Sequence, residues 1–287
     1  MIKNWKTDRM IRIGAVAYDA KVVTIWEGFK VYFDARGLKT DYVLYSNYES
    51  QVNALLHGEI DIAWNSPLAW VRAQHESEGA FQALAMRDTD RDLTTKIIVR
   101  KNTGMASLQD LRGGIIGVGA TDSPQATLIP LNLLAAAGIQ PEKDCQVVYH
   151  NVMVGKHGDH VGGERDAARA LAAGKVDASC VLDTNYLAFI NEGTLDPGTT
   201  AVLASTEPFD HCNFSAARTL PADLAERFKQ AVLEMSFQDP EVRPYMEMEG
   251  LKQWLDARTT GYKQLEDAVS RFKLFEQPLA AAVNGAL

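Results

Sequence analysis

The sequence has few cysteines and no long hydrophobic run. Its three cysteines, Cys145, Cys180 and Cys212, are dispersed over 287 residues without a C-x-x-C pair, which excludes a disulfide-stapled small scaffold. A membrane helix needs about 20 apolar residues in succession. The longest apolar runs here are much shorter, and residues 131–138 are broken by Asn132. We therefore expect three free, mostly buried thiols in a protein that is not embedded in a membrane.

Positive charge is also scarce. The chain carries 29 Lys and Arg residues against 37 Asp and Glu residues, a net charge of −8. Its densest basic stretch, residues 87–101, is interleaved with aspartates, whereas nucleic-acid binders concentrate basic residues on one face. We therefore expect no nucleic-acid partner. The acidic balance does not exclude an anionic ligand, because local backbone dipoles can bind one.

The length and composition are those of a globular protein with two domains or one large one. The hydrophobic fraction is 46% and the charged fraction 23%, close to the soluble average. The first nine residues carry positive charges, but no apolar segment follows them as it would in a secretory signal. The sequence as written is thus consistent with a cytoplasmic protein or with a periplasmic one whose signal peptide has been removed.

Strand and helix patterns alternate along most of the chain. This alternation predicts an α/β fold with a mostly parallel sheet covered by helices on both faces. We predict strands over residues 10–17, 41–45, 60–64, 81–87, 94–100, 115–118, 146–149, 176–182, 201–205 and 213–216. We predict helices over residues 24–36, 48–56, 67–74, 123–137, 164–173, 222–236, 244–248 and 262–275.

A short pattern recurs after 116 residues. It consists of a helix end, a glycine suited to a left-handed cap and a buried strand opened by aspartate. Leu55, Gly58, Ile60, Asp61 and Ala63 recur as Leu171, Gly174, Val176, Asp177 and Ser179. A chance match is the alternative, but the pattern favours two related lobes, with a ligand cleft between them. We assign residues 1–93 to the first lobe, 94–205 to the second, and 206–287 to a return into the first with C-terminal helices.

Polar and aromatic residues follow the predicted strands of the first lobe. Ligands of open α/β sheets lie beyond the carboxyl ends of the strands. Aromatic walls with a few polar groups are typical of a small-molecule pocket. Core aromatics beside exposed loop amides are the alternative interpretation. The candidate ligand-binding residues are Tyr18, Asp19, Asn47, Tyr48, Trp64, Asn65 and Ser66.

The second lobe offers a loop that leads into a helix N-terminus. Ser123 is suited to cap that helix and Pro124 to its first turn, and Gln125 follows. Free N–H groups at such a terminus can bind an anion, although Pro124 has no N–H and Asp122 adds a negative charge. An ordinary capped helix is the alternative. We predict that Ser123 and Gln125 contact the ligand.

Two further groups of candidate residues lie in the second lobe. His157 and His160 flank Asp159, a set that could ligate a metal, but no helix fixes their spacing and no other His/Cys cluster supports them. We therefore predict a polar loop that closes over ligand, without a metal. Asp183 follows a predicted strand and also faces the expected cleft. No catalytic or cofactor-binding motif is found, so we expect no cofactor.

Two motifs carry a family resemblance. The segment LLHGEIDIAWNSPLAWV, residues 55–71, and the segment SLQDLRGG, residues 107–114, resemble phosphonate/phosphate-type substrate-binding proteins of ABC transporters. The resemblance runs over about residues 11–217. It implies an α/β, type II periplasmic-binding-protein fold with two mixed, mostly parallel sheets that carry helices on both faces. The two lobes of such a fold close on a ligand in the cleft between them by hinge motion. In that family, first-lobe loops and a run of hydroxyl residues at a second-lobe helix hold an oxyanion. Of the matching residues 123–126, Ser123 keeps a hydroxyl.

The resemblance predicts a solute-binding component of an ABC-type importer. We expect it to bind a small polar or anionic, phosphonate-like molecule, to act as a periplasmic monomer and to deliver the ligand to an ABC permease. One alternative is a cytoplasmic enzyme on the same fold, similar to those of menaquinone- or thiamine-precursor biosynthesis, with His157, His160 and Asp183 as acid–base candidates. A sensory ligand-binding module is another, although no helix-turn-helix signature accompanies it.

Overall fold

A computed structural model describes residues 9–276, which divide into two compact units. Within that range, the first unit comprises residues 9–65, 72–90 and 212–259, and the second comprises residues 66–71, 91–211 and 260–276. The sequence predicts that residues 1–93 and 206–287 form the first lobe. In the structure, residues 66–71, 91–93, 206–211 and 260–276 instead pack in the second unit, and residues 277–287 lie outside the described range.

Eleven strands and nine helices are formed by residues 9–276. The strands are β1 (Ile11–Val16), β2 (Thr40–Tyr45), β3 (Ile62–Asn65), β4 (Gln82–Arg87), β5 (Thr95–Arg100), β6 (Ile115–Val118), β7 (Gln146–Tyr149), β8 (Ala178–Leu182), β9 (Thr200–Ser205), β10 (Asn213–Ala216) and β11 (Trp254–Asp256). The helices are α1 (Lys21–Ala35), α2 (Tyr48–Leu56), α3 (Pro67–Glu76), α4 (Ile129–Ala136), α5 (Gly162–Ala172), α6 (Asp183–Asn191), α7 (Ala222–Leu233), α8 (Arg243–Glu249) and α9 (Lys263–Phe272). None of these helices has the length and apolar character needed to cross a membrane.

Each unit is built on one mixed sheet. The first sheet has the order β11-β4-β10-β3-β1-β2, in which β1 is parallel to β2 and β3, and β10 runs antiparallel between β3 and β4. The second has the order β7-β6-β8-β5-β9, in which β6 is parallel to β7 and β8, and β5 is antiparallel to β8 and β9. The predicted α/β fold with mixed sheets is confirmed.

The core of the first unit is rich in aromatic rings. Helix α1 buries Ile25, Trp26 and Phe29 at helical spacing, and these residues join one apolar cluster with the sheet. Phe214, on the central strand β10, lies 4.8 Å from the Trp64 ring between ring centroids. The second unit has smaller, mainly aliphatic clusters around its own sheet.

The repeated pattern corresponds to one local structure in both units. Gly58 and Gly174 adopt φ values of +70° and +71°, as left-handed helix caps. The Asp61 carboxylate then accepts the Arg12 N–H at 2.9 Å, and the Asp177 carboxylate accepts the Ile115 N–H at 2.9 Å. Each aspartate therefore binds the backbone of the neighbouring parallel strand, and the predicted structural repeat is confirmed.

Three elements differ from the sequence prediction. The single helix predicted over residues 123–137 is interrupted, because Pro130 has no N–H for the Ala126 carbonyl, which accepts the Gly119 N–H instead. Residues 124–128 consequently form a wider, π-type turn before α4 begins. Helix α6 and the three-residue strand β11 carried no sequence signal strong enough to predict them.

Candidate ligand site

The polar residues after β1 and β2 mainly begin helices. Asp19 is exposed and accepts the Lys21 N–H at 2.9 Å, and Tyr18 packs partly buried against the core of the first unit. Asn47 caps α2 by accepting the Ser50 N–H at 2.8 Å, as its sequence position predicts. Tyr48 is fully buried. In this structure these four residues thus support helix starts and packing.

Trp64 and Asn65 at the end of β3 lie inside the first unit. Trp64 is 5% exposed, and the Arg87 guanidinium lies 5.3 Å from the centroid of its ring. The Asn65 amide oxygen accepts Gln51 Nε2 at 2.8 Å, and its Nδ2 donates to Ser215 Oγ at 3.1 Å. Both side chains therefore have partners within the core.

Ser66 and His157 form a buried pair in the second unit. Ser66 Oγ lies 2.7 Å from His157 Nδ1 and also accepts the Ala69 N–H at 3.2 Å, at the start of α3. Both residues are almost completely buried. The structure thus joins two predicted site residues that are 91 positions apart in the sequence.

Ser123 and Gln125 lie beside the same loop. Ser123 caps the helical segment, since its Oγ accepts the Ala126 N–H at 3.2 Å. Gln125 Nε2 donates to the Gly158 carbonyl at 2.8 Å, and Gln125 Oε1 lies 3.4 Å from His211 Nε2. Gln125 is 3% exposed, so these contacts fix a buried amide.

Residues 151–161 form a polar strap over this helix start. Met153, Gly155, His157 and Gly158 all have φ values between +48° and +91°. Such conformations are costly for residues other than glycine, so the surrounding contacts must hold the strap in place. One of these contacts is the Gly155 N–H, which donates to Asp122 Oδ2 at 2.5 Å.

Charge is concentrated around the strap. Lys156 is buried, and burial lowers the pKa of its ammonium while Asp159 opposes that shift. Glu164, in the first turn of α5, accepts hydrogen bonds from the Leu182 N–H and from Asn185 Nδ2. Burial raises the pKa of Glu164 from 4.5 to about 7 despite those two donors. The desolvated ammonium of Lys156 favours an anionic neighbour.

His160 and Asp183 take other roles. His160 is exposed, and its Nδ1 accepts the Gly162 N–H at 3.1 Å at the start of α5. Asp183 begins α6, and its Oδ2 accepts the Thr94 hydroxyl at 3.0 Å. The structure therefore brings together Ser66, Ser123, Gln125 and His157, which we call the candidate site. His160 and Asp183 are not part of this set.

Three residues beside the candidate site are not among the predicted ligand-binding residues. They are Lys156, Gly158 and His211. Lys156 and Gly158 flank His157 in the loop that is predicted to close over the ligand. The glycines of that loop were the available signal, since left-handed glycines allow a chain to approach other side chains closely. His211 comes from the segment before β10 and had no local signal.

The fold matches solved structures of binding proteins at low sequence identity. PhnD1 from Prochlorococcus marinus, in complex with methylphosphonate, is 16% identical with a TM-score of 0.69; the match covers 92% of this chain and 98% of that one. XAC2383 from Xanthomonas citri, bound to ATP, is 15% identical with a TM-score of 0.72, covering 93% and 99%. The aliphatic sulphonate binding protein SsuA from Escherichia coli is 17% identical with a TM-score of 0.59, covering 94% of each chain. At these identities the likeness shows a shared fold.

The family match is more direct. Residues 16–262 match the ABC transporter phosphonate periplasmic substrate-binding proteins. This confirms the prediction of a transport binding protein rather than an enzyme. It also implies a small-molecule ligand, a permease partner and a periplasmic location. The chain belongs to the family of periplasmic substrate-binding proteins of phosphonate ABC transporters.

Proposed function

We propose that the candidate site holds a small oxyanion, which the protein delivers to its ABC permease. The observation that carries the proposal is the buried set of polar groups around the strap. Ser66, Ser123, Gln125 and His157 supply hydroxyl, amide and imidazole groups, and all four are almost completely buried. In a buried site, a small number of precisely placed polar groups fixes the orientation of a small ligand.

Two further observations support an anionic ligand. Lys156 places a desolvated positive charge on the strap beside His157. Thr127, in the turn after Gln125, is 1% exposed, and its hydroxyl has no hydrogen-bond partner among the described residues. A buried hydroxyl without a partner is costly, and a ligand oxygen would relieve that cost. PhnD1 in complex with methylphosphonate and the sulphonate-binding SsuA suggest which oxyanions to test.

The test is direct binding with matched variants. Freshly purified protein is analysed by native mass spectrometry for a retained ligand, and then titrated calorimetrically with methylphosphonate and methanesulfonate. Ser66→Ala removes a hydroxyl of the site, and Ser107→Ala removes a hydroxyl from an exposed turn of the same unit. We expect Ser66→Ala to weaken binding by roughly two- to tenfold, the effect of one lost hydrogen bond. Equal affinities for both variants would remove Ser66 from the site.

The proposal extends to closure and assembly. We expect hinge closure on binding, measured as a smaller radius of gyration in small-angle scattering, and a monomer in light scattering with and without ligand. A radius that stays constant at saturating ligand would contradict closure. A dimer would contradict only the proposed assembly state.

A further inference from the structure

One carboxylate oxygen beside the candidate site is buried without a partner. Asp122 directly precedes the helix-capping Ser123, and its Oδ2 accepts the Gly155 N–H of the strap. Its Oδ1 is shielded from solvent and has no hydrogen-bond partner within residues 9–276. A buried acceptor left in this state is unfavourable, so it calls for a donor that the described chain does not provide.

The position of this oxygen restricts the ligand. An oxyanion at the Ser123 turn would lie next to the Asp122 charge, and like charges in a buried site repel strongly. Pro124, the next residue, has no N–H with which to offset that repulsion. A proton shared between the two groups would turn the repulsion into a charge-assisted hydrogen bond.

We propose that Asp122 accepts a hydrogen bond from a proton that the ligand itself carries. The site would then select the protonated monoanion of a phosphonate over its dianion and over a sulfonate, which has no such proton. This inference rests on the proposed oxyanion function and specifies the protonation state of the ligand. Asp122 would act as a specificity-determining residue.

Other titratable groups lie on the segments next to Asp122 and Gly155, and they too can make binding depend on pH. They lie on the strap, on the residue before it and on the first turn of α5. They are Lys156, His157, Asp159 and His160, together with His150 and Glu164. Methanesulfonate controls for them, because it is a monoanion at every pH tested and its own charge does not change.

The experiment titrates wild-type protein and Asp122→Asn with both probes by calorimetry. The measurements are made below and above the second ionisation of methylphosphonate, which falls near neutral pH. In wild type, we expect the affinity for methylphosphonate relative to methanesulfonate to fall about tenfold or more as the phosphonate loses its proton. In Asp122→Asn, whose amide can donate to an oxyanion, we expect this ratio to change little with pH and methanesulfonate to bind more tightly.

The outcomes separate this inference from the proposed function. If the ratio of methylphosphonate to methanesulfonate affinity in wild type stays constant with pH, the proposed role of Asp122 is overturned, even if both probes bind. This outcome can be read from the wild-type protein alone. An equal pH dependence in wild type and in folded Asp122→Asn overturns it as well. If neither probe binds wild type at either pH, the oxyanion function fails, and the inference that depends on it fails too.

Discussion

The contact between the strap and the helix start can be tested with a single methyl group. Gly158 has a φ of +82°, and a Cβ built there would lie 2.5 Å from Ser123 Oγ and closer still to Gln125 Nε2. Gly158→Ala therefore adds two penalties. A left-handed alanine costs about 1–2 kcal/mol. Overpacking of a well-packed site costs about 1–3 kcal/mol more.

A matched variant separates the two penalties. Gly193 has a φ of +80°, lies in the same unit, and has no atom within 4 Å of a built Cβ. Gly193→Ala should therefore show the backbone strain alone. The difference between the variants then measures the steric contribution, about 1–3 kcal/mol. This corresponds to a further decrease in melting temperature on the order of 2–12 °C.

The assay combines thermal unfolding with amide hydrogen exchange. We expect Gly158→Ala to melt below Gly193→Ala and to exchange faster at the Gly155 amide, because displacing the strap breaks its bond to Asp122. Equal melting temperatures, with unchanged exchange in residues 151–161, would refute the close approach of the strap to Ser123 and Gln125.

Four further substitutions probe the packing and electrostatics. Trp64→Ala should lower the free energy of unfolding by about 3–5 kcal/mol in urea, because the ring is buried in the core, while the ligand affinity of the folded protein stays unchanged. Since the pKa of Glu164 is raised from 4.5 to about 7, the native state binds the extra proton, and stability should fall as pH rises from about 4.5 to 7. Glu164→Gln should remove the contribution of Glu164 to this loss of stability. The free energy of unfolding in urea should then differ less between pH 4.5 and pH 7 than it does in wild type. Asp61→Asn should destabilise by about 1.5–3 kcal/mol in the same assay, and Asp177→Asn by less, because the Asp61 side chain is 3% exposed and that of Asp177 33%. Equal losses of unfolding free energy in the two variants would mean that burial does not determine how much this hydrogen bond contributes to stability.

Local patterns were sufficient to predict most of the fold. Alternating strand and helix periods, glycine caps such as Gly58 and Gly174, and the Asn47 cap depend on neighbouring residues only. Helix α6 was missed because Asp183 was interpreted as a loop residue after a strand, whereas it begins a helix. Strand β11 is three residues long and is defined by its pairing with β4, which is distant in sequence.

The candidate site was harder to predict, because its contacts are long-range. Ser66 and His157 were both selected, but their pairing depends on how α3 and the strap meet in space. Trp64 was selected for its position at a strand end, but packing against Phe214 and Trp254 places it in the core. The rule that ligands lie at strand ends therefore selects positions after strands, but it does not separate side chains that pack inward from those that could contact a ligand.

The position of β10 determines where along the chain each of the two sheets is completed. All five strands of the second sheet lie before residue 206, whereas the first sheet also needs β10 and β11, which follow it in the sequence. Until residues 213–216 arrive, β3 and β4 have no strand between them and expose unpaired backbone edges. The unit whose strands begin first along the chain therefore completes its sheet last in sequence, and a chain that ended before residue 213 would leave strand edges open to pairing with other chains.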